Sequence, residues 1–468
     1  MRLSALAAIV FIATASSAQS PTLTAAQIAR IDSTFSQYNA QDVPGCAVGV
    51  SRHDTVVLER AWGSANLETG TPITPATIFE AGSVSKQFTA GAILRLVQQG
   101  KLSLDDDIRK YLPEIPKYDA TITIRHMMNH TSGLRDWGTV MTIAGWPRGT
   151  RTYTQAHVLD IMSRQKALNY PVGAEYLYSN SNYNLLTLIL EKITGQDYES
   201  FVRQNIWTPL GLSSTSDGSD MSRLVPHRAT GTEPDGIRDV RLPRFIDWSG
   251  RKGSGSLIIT ASDLDRFVQA LFGGKLLQQS SLERILAPAE GFAFGWARGE
   301  RFGRKTMRSG GRSPGYNATV ERYLDDGTTI LILSNSYSPV AQDSVFVTGI
   351  HSAVFGKSPV PPSVAPVAVK PGSLGELAGQ YQMPHDYFVP DATLELVDRG
   401  DRLDMIWKDG SRNTVYPTGP KRFLDRNFWA ELSFNREGTG KVSGFSYHIG
   451  GTKFTAARAG RTESGRLR

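Results

Sequence analysis

The strongest constraint on folding is the stretch 79–100, FEAGSVSKQFTAGAILRLVQQG. Its second half carries Phe88, Ile93, Leu94, Leu96 and Val97 with little charge between them, which predicts a buried helix. Gly100 follows as a C′ residue, free to take the left-handed backbone that ends a helix. Ser83 and Lys86 stand three residues apart at the start, so on a helix they share one face. A serine hydroxyl is a poor nucleophile alone. A buried lysine amine can lose its charge and accept the hydroxyl proton. The helix N-terminus would also place the Ser83 N–H where a developing oxyanion is stabilised. A solvated lysine one turn from a capping serine has the same spelling, so the pattern needs support from elsewhere in the chain.

The chain has 468 residues, 40% hydrophobic and 20% charged, which suits a soluble globular protein of two or three domains. The net charge of +7 is spread along the sequence. With no basic helix or aromatic-interleaved basic strip, nucleic acid is excluded as a partner class. Arg2, the apolar run at residues 3–15 and Ser16-Ser17-Ala18 predict a secretory leader, residues 1–18, cleaved after Ala18, hence a periplasmic location. No other stretch is long and apolar enough to span a bilayer. The single cysteine, Cys46, sits in the strand-like VPGCAVGV and is expected to act as a small apolar residue.

The spacing predicts a first helix over 24–38, then strands over 45–51 and 55–61 around a His53-Asp54 turn. Residues 100–108 form a turn and a helix start capped by Ser103. His126 and His130 lie four apart in TITIRHMMNHTSGLRD. That pattern lacks the glutamate of a zinc-protease motif and a third ligand, so both are expected to hydrogen-bond the following loop, with no metal. Tyr178 and Asn180 are placed on a loop just before a helix that carries Leu185, Leu186, Ile189, Leu190 and Ile193. A Gly-rich strand and a Thr260- or Ser262-capped helix follow over 253–271. The glycine-rich 308–316 sits at a strand edge, where a ligand can approach the backbone. Residues 357–372 hold five prolines and read as an extended spacer. Beyond it, short alternating runs at 394–397, 403–407, 414–416, 429–434, 442–448 and 454–457 predict an antiparallel barrel or sandwich.

Together these stretches resemble the serine β-lactamase and penicillin-binding protein superfamily over roughly residues 25–350, nearest in flavour to its class C β-lactamase, D-aminopeptidase and esterase branch. VPGCAVGV, GSVSKQFTA, GKLSLDDDI, TIRHMMNHTSGL and YSNSNYNLL carry the resemblance, in the family's order. It implies an α/β (α+β) β-lactamase/transpeptidase-like fold with a central antiparallel sheet flanked by helices. The C-terminal region resembles the lipocalin-like β-barrel appended to D-aminopeptidases. The implied division is leader 1–18, hydrolase domain 19–356, linker 357–373, barrel 374–459 and tail 460–468.

Position by position, the resemblance makes Ser83 the nucleophile and Lys86 its proton acceptor or electrostatic partner. Tyr178 becomes the second proton-transfer group, its phenol lowered by Lys86, and Asn180 a substrate and lysine holder. The third motif departs from the family's K-T-G or H-x-G. Alignment on Pro314-Gly315-Tyr316 puts Ser309 in the cation's place, and a one-residue shift puts Arg308 there, with Gly310 beside them as a substrate-binding position. The oxyanion N–H groups would come from Ser83 and from Gly311 or Arg312. The implied activity is an acyl-enzyme hydrolase for D-amino-acid peptides or amides, or small esters, with no cofactor and a small-molecule or short-peptide partner. A β-lactamase, a D-Ala-D-Ala carboxypeptidase and an inactive peptidoglycan-binding homologue are the alternatives.

Overall fold

The computed structural model describes residues 22–35, 42–53, 55–234, 240–243, 249–286, 292–336, 347–356, 367–370, 372–387, 391–408, 412–425, 430–449 and 452–459. The expected leader, most of the linker and the tail lie outside these residues, as do Trp429 and the turn residues Asp409 and Gly410.

A seven-stranded antiparallel sheet forms the frame. Its strands are β1 (Cys46–Arg52), β2 (Thr55–Trp62), β3 (Phe292–Ala293), β4 (Trp296–Arg301), β5 (Arg304–Ser313), β6 (Tyr316–Tyr323) and β7 (Thr328–Ser334). Their spatial order is β3-β4-β5-β6-β7-β1-β2. An N-terminal hairpin thus packs its first strand against the last strand of the meander, with Cys46 opposite Ser334 and Arg52 opposite Thr328. β1 is buried along its whole length, apolar from Cys46 to Val50 and closed by the buried polar residues Ser51 and Arg52.

Strand alternation divides the core in two. Val48 and Ile332 face a back layer built from helices α1 (Ala25–Thr34) and, near the end of the domain, Thr348–Phe355. Ala47, Val320, Leu331 and Leu333 face the larger front cluster. At its centre runs α2 (Ser85–Gln98), with Phe88, Ile93, Leu94 and Leu96 fully buried. Each such side chain contributes about 1.5–3 kcal/mol. Gly100 takes φ +69° just past its end, as expected. Beside it lies α3 (Asn180–Thr194), closed by Gly195 in the left-handed region. The helix Ala261–Phe272 is capped by Thr260, not Ser262. Asp107, not Ser103, caps the short turn Ile108–Lys110, while Ser103 accepts the Asp105 N–H within the preceding loop. The first helix is Ala25–Thr34 with Phe35 as its C-cap, and residues 36–38 of the expected span lie outside the described residues.

The C-terminal region is a closed eight-stranded antiparallel barrel. The six expected strands are present. The two that the pattern missed are Gly379–Gln382 and Arg422–Asp425, both too short to show alternation. The first strand closes on the last, with Tyr381 opposite Arg458. Tyr381, Leu396, Met405, Leu432 and Phe445 pack in the interior, as is usual at eight strands. The mixed α/β fold with a central antiparallel sheet and appended barrel is therefore the one expected.

Candidate active site

Ser83 does not sit within the helix. It occupies a 3-10 turn, Gly82–Val84, that leads into α2. Ser85 locks this turn, donating to the Gly82 carbonyl (2.6 Å) and accepting the Leu257 N–H (2.9 Å). Gly82 has φ +51°, and a Cβ there would lie 2.5 Å from the Arg312 backbone, so only glycine lets the turn meet strand β5. Gly311 shows the same closeness from the other side: its Cβ would lie 1.8 Å from the Ala81 carbonyl oxygen and 2.8 Å from the Ser83 nitrogen.

Two expected residues converge on the Ser83 hydroxyl. The Tyr178 hydroxyl lies 2.7 Å from Oγ and Lys86 Nζ 3.2 Å from it. Nζ also meets Asn180 Oδ1 at 2.9 Å and the Ser254 carbonyl at 2.5 Å. Those two oxygens accept two N–H bonds. A neutral amine then has its lone pair left for the serine proton. Lys86 is fully buried, and burial pulls its pKa well below the ordinary lysine value. The Arg251 and Arg148 guanidiniums push the same way, and the Asp136 carboxylate opposes them.

Tyr178 corrects an expectation. Burial of its hydroxyl end pushes the phenol up to about 12, although Ser83 and Arg251 act to lower it. The residue as a whole remains 37% exposed through its ring. Lys86 lies 4.8 Å from the ring centre but does not act as the cation that lowers it, because its own charge is disfavoured. Tyr178 therefore holds its proton, and Lys86 is the group poised to accept one. Asn180 also differs from expectation. It is the first helical residue of α3, with Ser179 as N-cap, and is not on the loop.

Asp136 explains why the Asn180 amide points as it does. One carboxylate oxygen accepts both the backbone N–H and the side-chain Nδ2 of Asn180, each at 2.8 Å. This leaves Oδ1 to face Lys86. The other oxygen accepts the Thr139 N–H at the start of the helix Trp137–Ile143 and pairs with Arg148 at 2.8 Å. Burial would raise this carboxyl, but Arg148 and the Asn180 N–H groups hold it below the usual range. Arg251, buried nearby, is lowered to about 10, first by desolvation and then by Arg148.

His130 is buried, and its Nδ1 accepts the Ser179 N–H at 3.2 Å. Its ring lies 4.5 Å from that of Tyr178. Desolvation, with Lys86 nearby, keeps it neutral. Its ring thus braces the Tyr178 segment, distant in sequence, in place of the expected loop after it. The His126 ring bonds back to Thr123 as part of a capping box, and it is the His126 carbonyl that meets the following loop, accepting the Thr131 N–H at 2.9 Å. No metal-ligating cluster occurs among the described residues. Burial also raises the Cys46 thiol, in keeping with an apolar role.

The register of β5 resolves the third motif. Ser309 pairs with Val320, Gly311 with Ala318 and Ser313 with Tyr316, on the front face toward Ser83. Arg308 pairs with Glu321 and belongs to the back face, where it acts on the charge of His351. The cation therefore points away from the nucleophile, and Ser309 takes the motif position. β4 covers β5 only up to Arg308, opposite Ala297. From Ser309 onward that edge of β5 is uncovered by β4. A two-residue turn closes Ser313 on Tyr316, so alternation commits the Gly311 N–H to β6 and sends those of Gly310 and Arg312 to the uncovered edge. Gly311 is thereby ruled out as the strand's oxyanion donor, and Arg312 is left.

A pocket of about 220 Å³ opens here, lined by Ser83, Lys86, Tyr178, Phe292, Ala297, Arg308, Ser309 and Gly310. Sequence reasoning missed Phe292, Asp136, Arg148, Arg251 and Ser254. Only Asp136 carried a signal, as a cap three residues before Thr139.

The sequence profile of the Beta-lactamase family matches residues 31–348. Penicillin-binding protein 4* of Bacillus subtilis is 27% identical over 403 residues, covering 81% of this chain and 87% of that protein. D-aminopeptidase of Brucella anthropi is 31% identical over 272 residues, 58% of this chain and 50% of that one. Among solved structures, the octameric penicillin-binding protein homologue from Pyrococcus abyssi superposes with a TM-score of 0.63 at 20% identity, covering 92% of this chain and 99% of that one. D-amino acid amidase from Ochrobactrum anthropi SV3 superposes at 0.59 with 23% identity, covering 70% and 96%. No described helix is long and apolar enough to cross a membrane. With the profile spanning well over half of the sequence, the chain belongs to the beta-lactamase family of serine hydrolases, related to penicillin-binding proteins and D-aminopeptidases.

Proposed function

We propose that Ser83 is the nucleophile of an exported hydrolase that works through an acyl-enzyme on amide or ester carbonyls. The observation that carries this is the convergence of Lys86 Nζ and the Tyr178 hydroxyl on Ser83 Oγ, at 3.2 and 2.7 Å. Neutral Lys86 accepts the serine proton as Oγ bonds to the carbonyl carbon. The tetrahedral oxyanion sits between the N–H groups of Ser83 and Arg312. Tyr178 gives its proton to the departing amine or alkoxide and is reprotonated from Lys86. Water then attacks the acyl ester, its proton passing to the same pair, and Ser83 is restored. Asn180 fixes Lys86 and offers its amide to the substrate.

D-amino-acid peptides or amides and small esters are the substrates this reading favours, supported by the D-aminopeptidase and D-amino acid amidase relatives. Export rests on the leader-like residues 1–18, and the domain division on the spacer 357–373. The test is mass spectrometry of the protein treated with a fluorophosphonate. An adduct on Ser83 that is absent from Ser83→Ala is expected. Folded protein that takes up no probe would instead point to the inactive, ligand-binding alternative. A panel of D-aminoacyl amides, nitrophenyl esters and a chromogenic cephalosporin then sorts the substrate, and rapid cephalosporin turnover would move the reading to a β-lactamase.

A further inference from the structure

The pocket wall is unusual in its charge. A substrate carboxylate beside the scissile bond needs a cation within reach, because an unpaired charge is costly to desolvate. Apart from Lys86, the one cationic residue among the wall's described lining residues is Arg308, and Arg312, whose N–H borders the site, pairs with Asn317 on the same face of β5 as Arg308. The Arg308 side chain belongs to the back face, opposite Glu321 and near His351. Lys86 is held by three neutral oxygens and is occupied with Ser83. Ser309, on the front face, supplies only a hydroxyl, and it is 5% exposed.

What the wall does offer is aromatic. Phe292 stands edge-on to Tyr178 with ring centres 6.3 Å apart, and Tyr176 lies 6.1 Å from Phe292. Tyr176 and Leu177 keep about half of their surface in solvent beside the opening, at 49% and 47%. A cleft of this kind gains from apolar contact and loses from an unpaired carboxylate.

Resting on the serine-hydrolase reading, we infer that the site takes carbonyl compounds with no carboxylate on either side of the scissile bond, an apolar group lying against Phe292, and that Ser309 sets this choice. Esters and amides without a neighbouring carboxylate are the class. Peptides that end in a free carboxylate at the leaving residue are not.

The test compares matched esters. 4-Nitrophenyl valerate and 4-nitrophenyl hydrogen glutarate differ only at the end of the acyl chain. 4-Nitrophenyl acetate and 3-carboxy-4-nitrophenyl acetate differ only on the leaving group. The neutral member of each pair is expected to have at least about tenfold higher kcat/KM. Ser309→Lys is expected to raise the relative rate on the carboxylate members by about tenfold, and Arg308→Gln to leave the ratios within about twofold. Wild-type preference for either carboxylate ester overturns the inference without any variant. So does a ratio that follows Arg308 and ignores Ser309. If no ester is cleaved above the Ser83→Ala background, the hydrolase reading itself falls, which is a separate result.

Discussion

Lys86 and Asp404 are both almost wholly buried, at 0% and 2% exposure, and the protein treats their charges in opposite ways. Asp404, in the barrel, is surrounded by guanidiniums: Arg399 at 2.8 Å, Arg412 at 3.6 Å and Arg402 at 3.9 Å. Lys86, under the cleft, meets neutral oxygens from Ser83, Asn180 and Ser254. The nearby carboxylate that favours its charge, Asp136, is turned toward Asn180 and Arg148. Asp404 is given guanidiniums at contact distance. Neutral acceptors without a counter-ion leave the proton free to move. Burial by itself therefore does not mark a reactive group; the character of its partners does.

The comparison breaks first at Lys86. Lys86→Arg keeps the cation, but a guanidinium cannot give up its proton. The expected result is a loss in kcat/KM of about 10³-fold on the best ester. An active arginine variant would mean that position 86 needs only positive charge. The next effect is read in pH. A lowered lysine pKa gives an acid limb in kcat/KM below the ordinary lysine range, rising with pH as the amine is freed. Tyr178, near 12, holds its proton throughout, so no alkaline fall is expected below that value. Asp136→Asn removes a negative charge that favours the ammonium, so the acid limb should move to lower pH, with a rate loss of about tenfold or less from a loosened Asn180. An unmoved limb would assign Asp136 to folding alone. The smallest effect on turnover belongs to the barrel. Asp404→Asn should leave kcat/KM unchanged and cost about 1–2 kcal/mol in denaturant unfolding, a value discounted because the three guanidiniums are a third or more exposed.

Much of this site could be read in the sequence because its parts are local. Ser83 and Lys86 are fixed by one turn of chain, and Tyr178 and Asn180 by the start of one helix. The strands of the barrel were visible wherever five or more residues alternate. Asp136, Arg148, Arg251 and Ser254 were not legible as site residues, since tertiary packing alone brings them to Lys86 and Asn180. Phe292 stands in a two-residue strand with no pattern of its own. The choice between Arg308 and Ser309 was undecidable for a physical reason. A one-residue slip in a strand exchanges its two faces, and only the pairing with β6 sets the register.

The place of β1 in the sheet has a consequence for how the molecule is made. Its hairpin partner β2 is synthesised at once, but its other neighbour, Thr328–Ser334, arrives only when most of the chain has been produced. Until then Cys46–Arg52 is a nascent strand with one bare edge and two apolar faces, the kind of segment that seeks any partner on offer. During biogenesis the N-terminal hairpin thus keeps an edge open to mispairing until Thr328–Ser334 is made. A ribosome-stalled nascent chain ending before residue 328 should be much more prone to aggregate than one ending after 334.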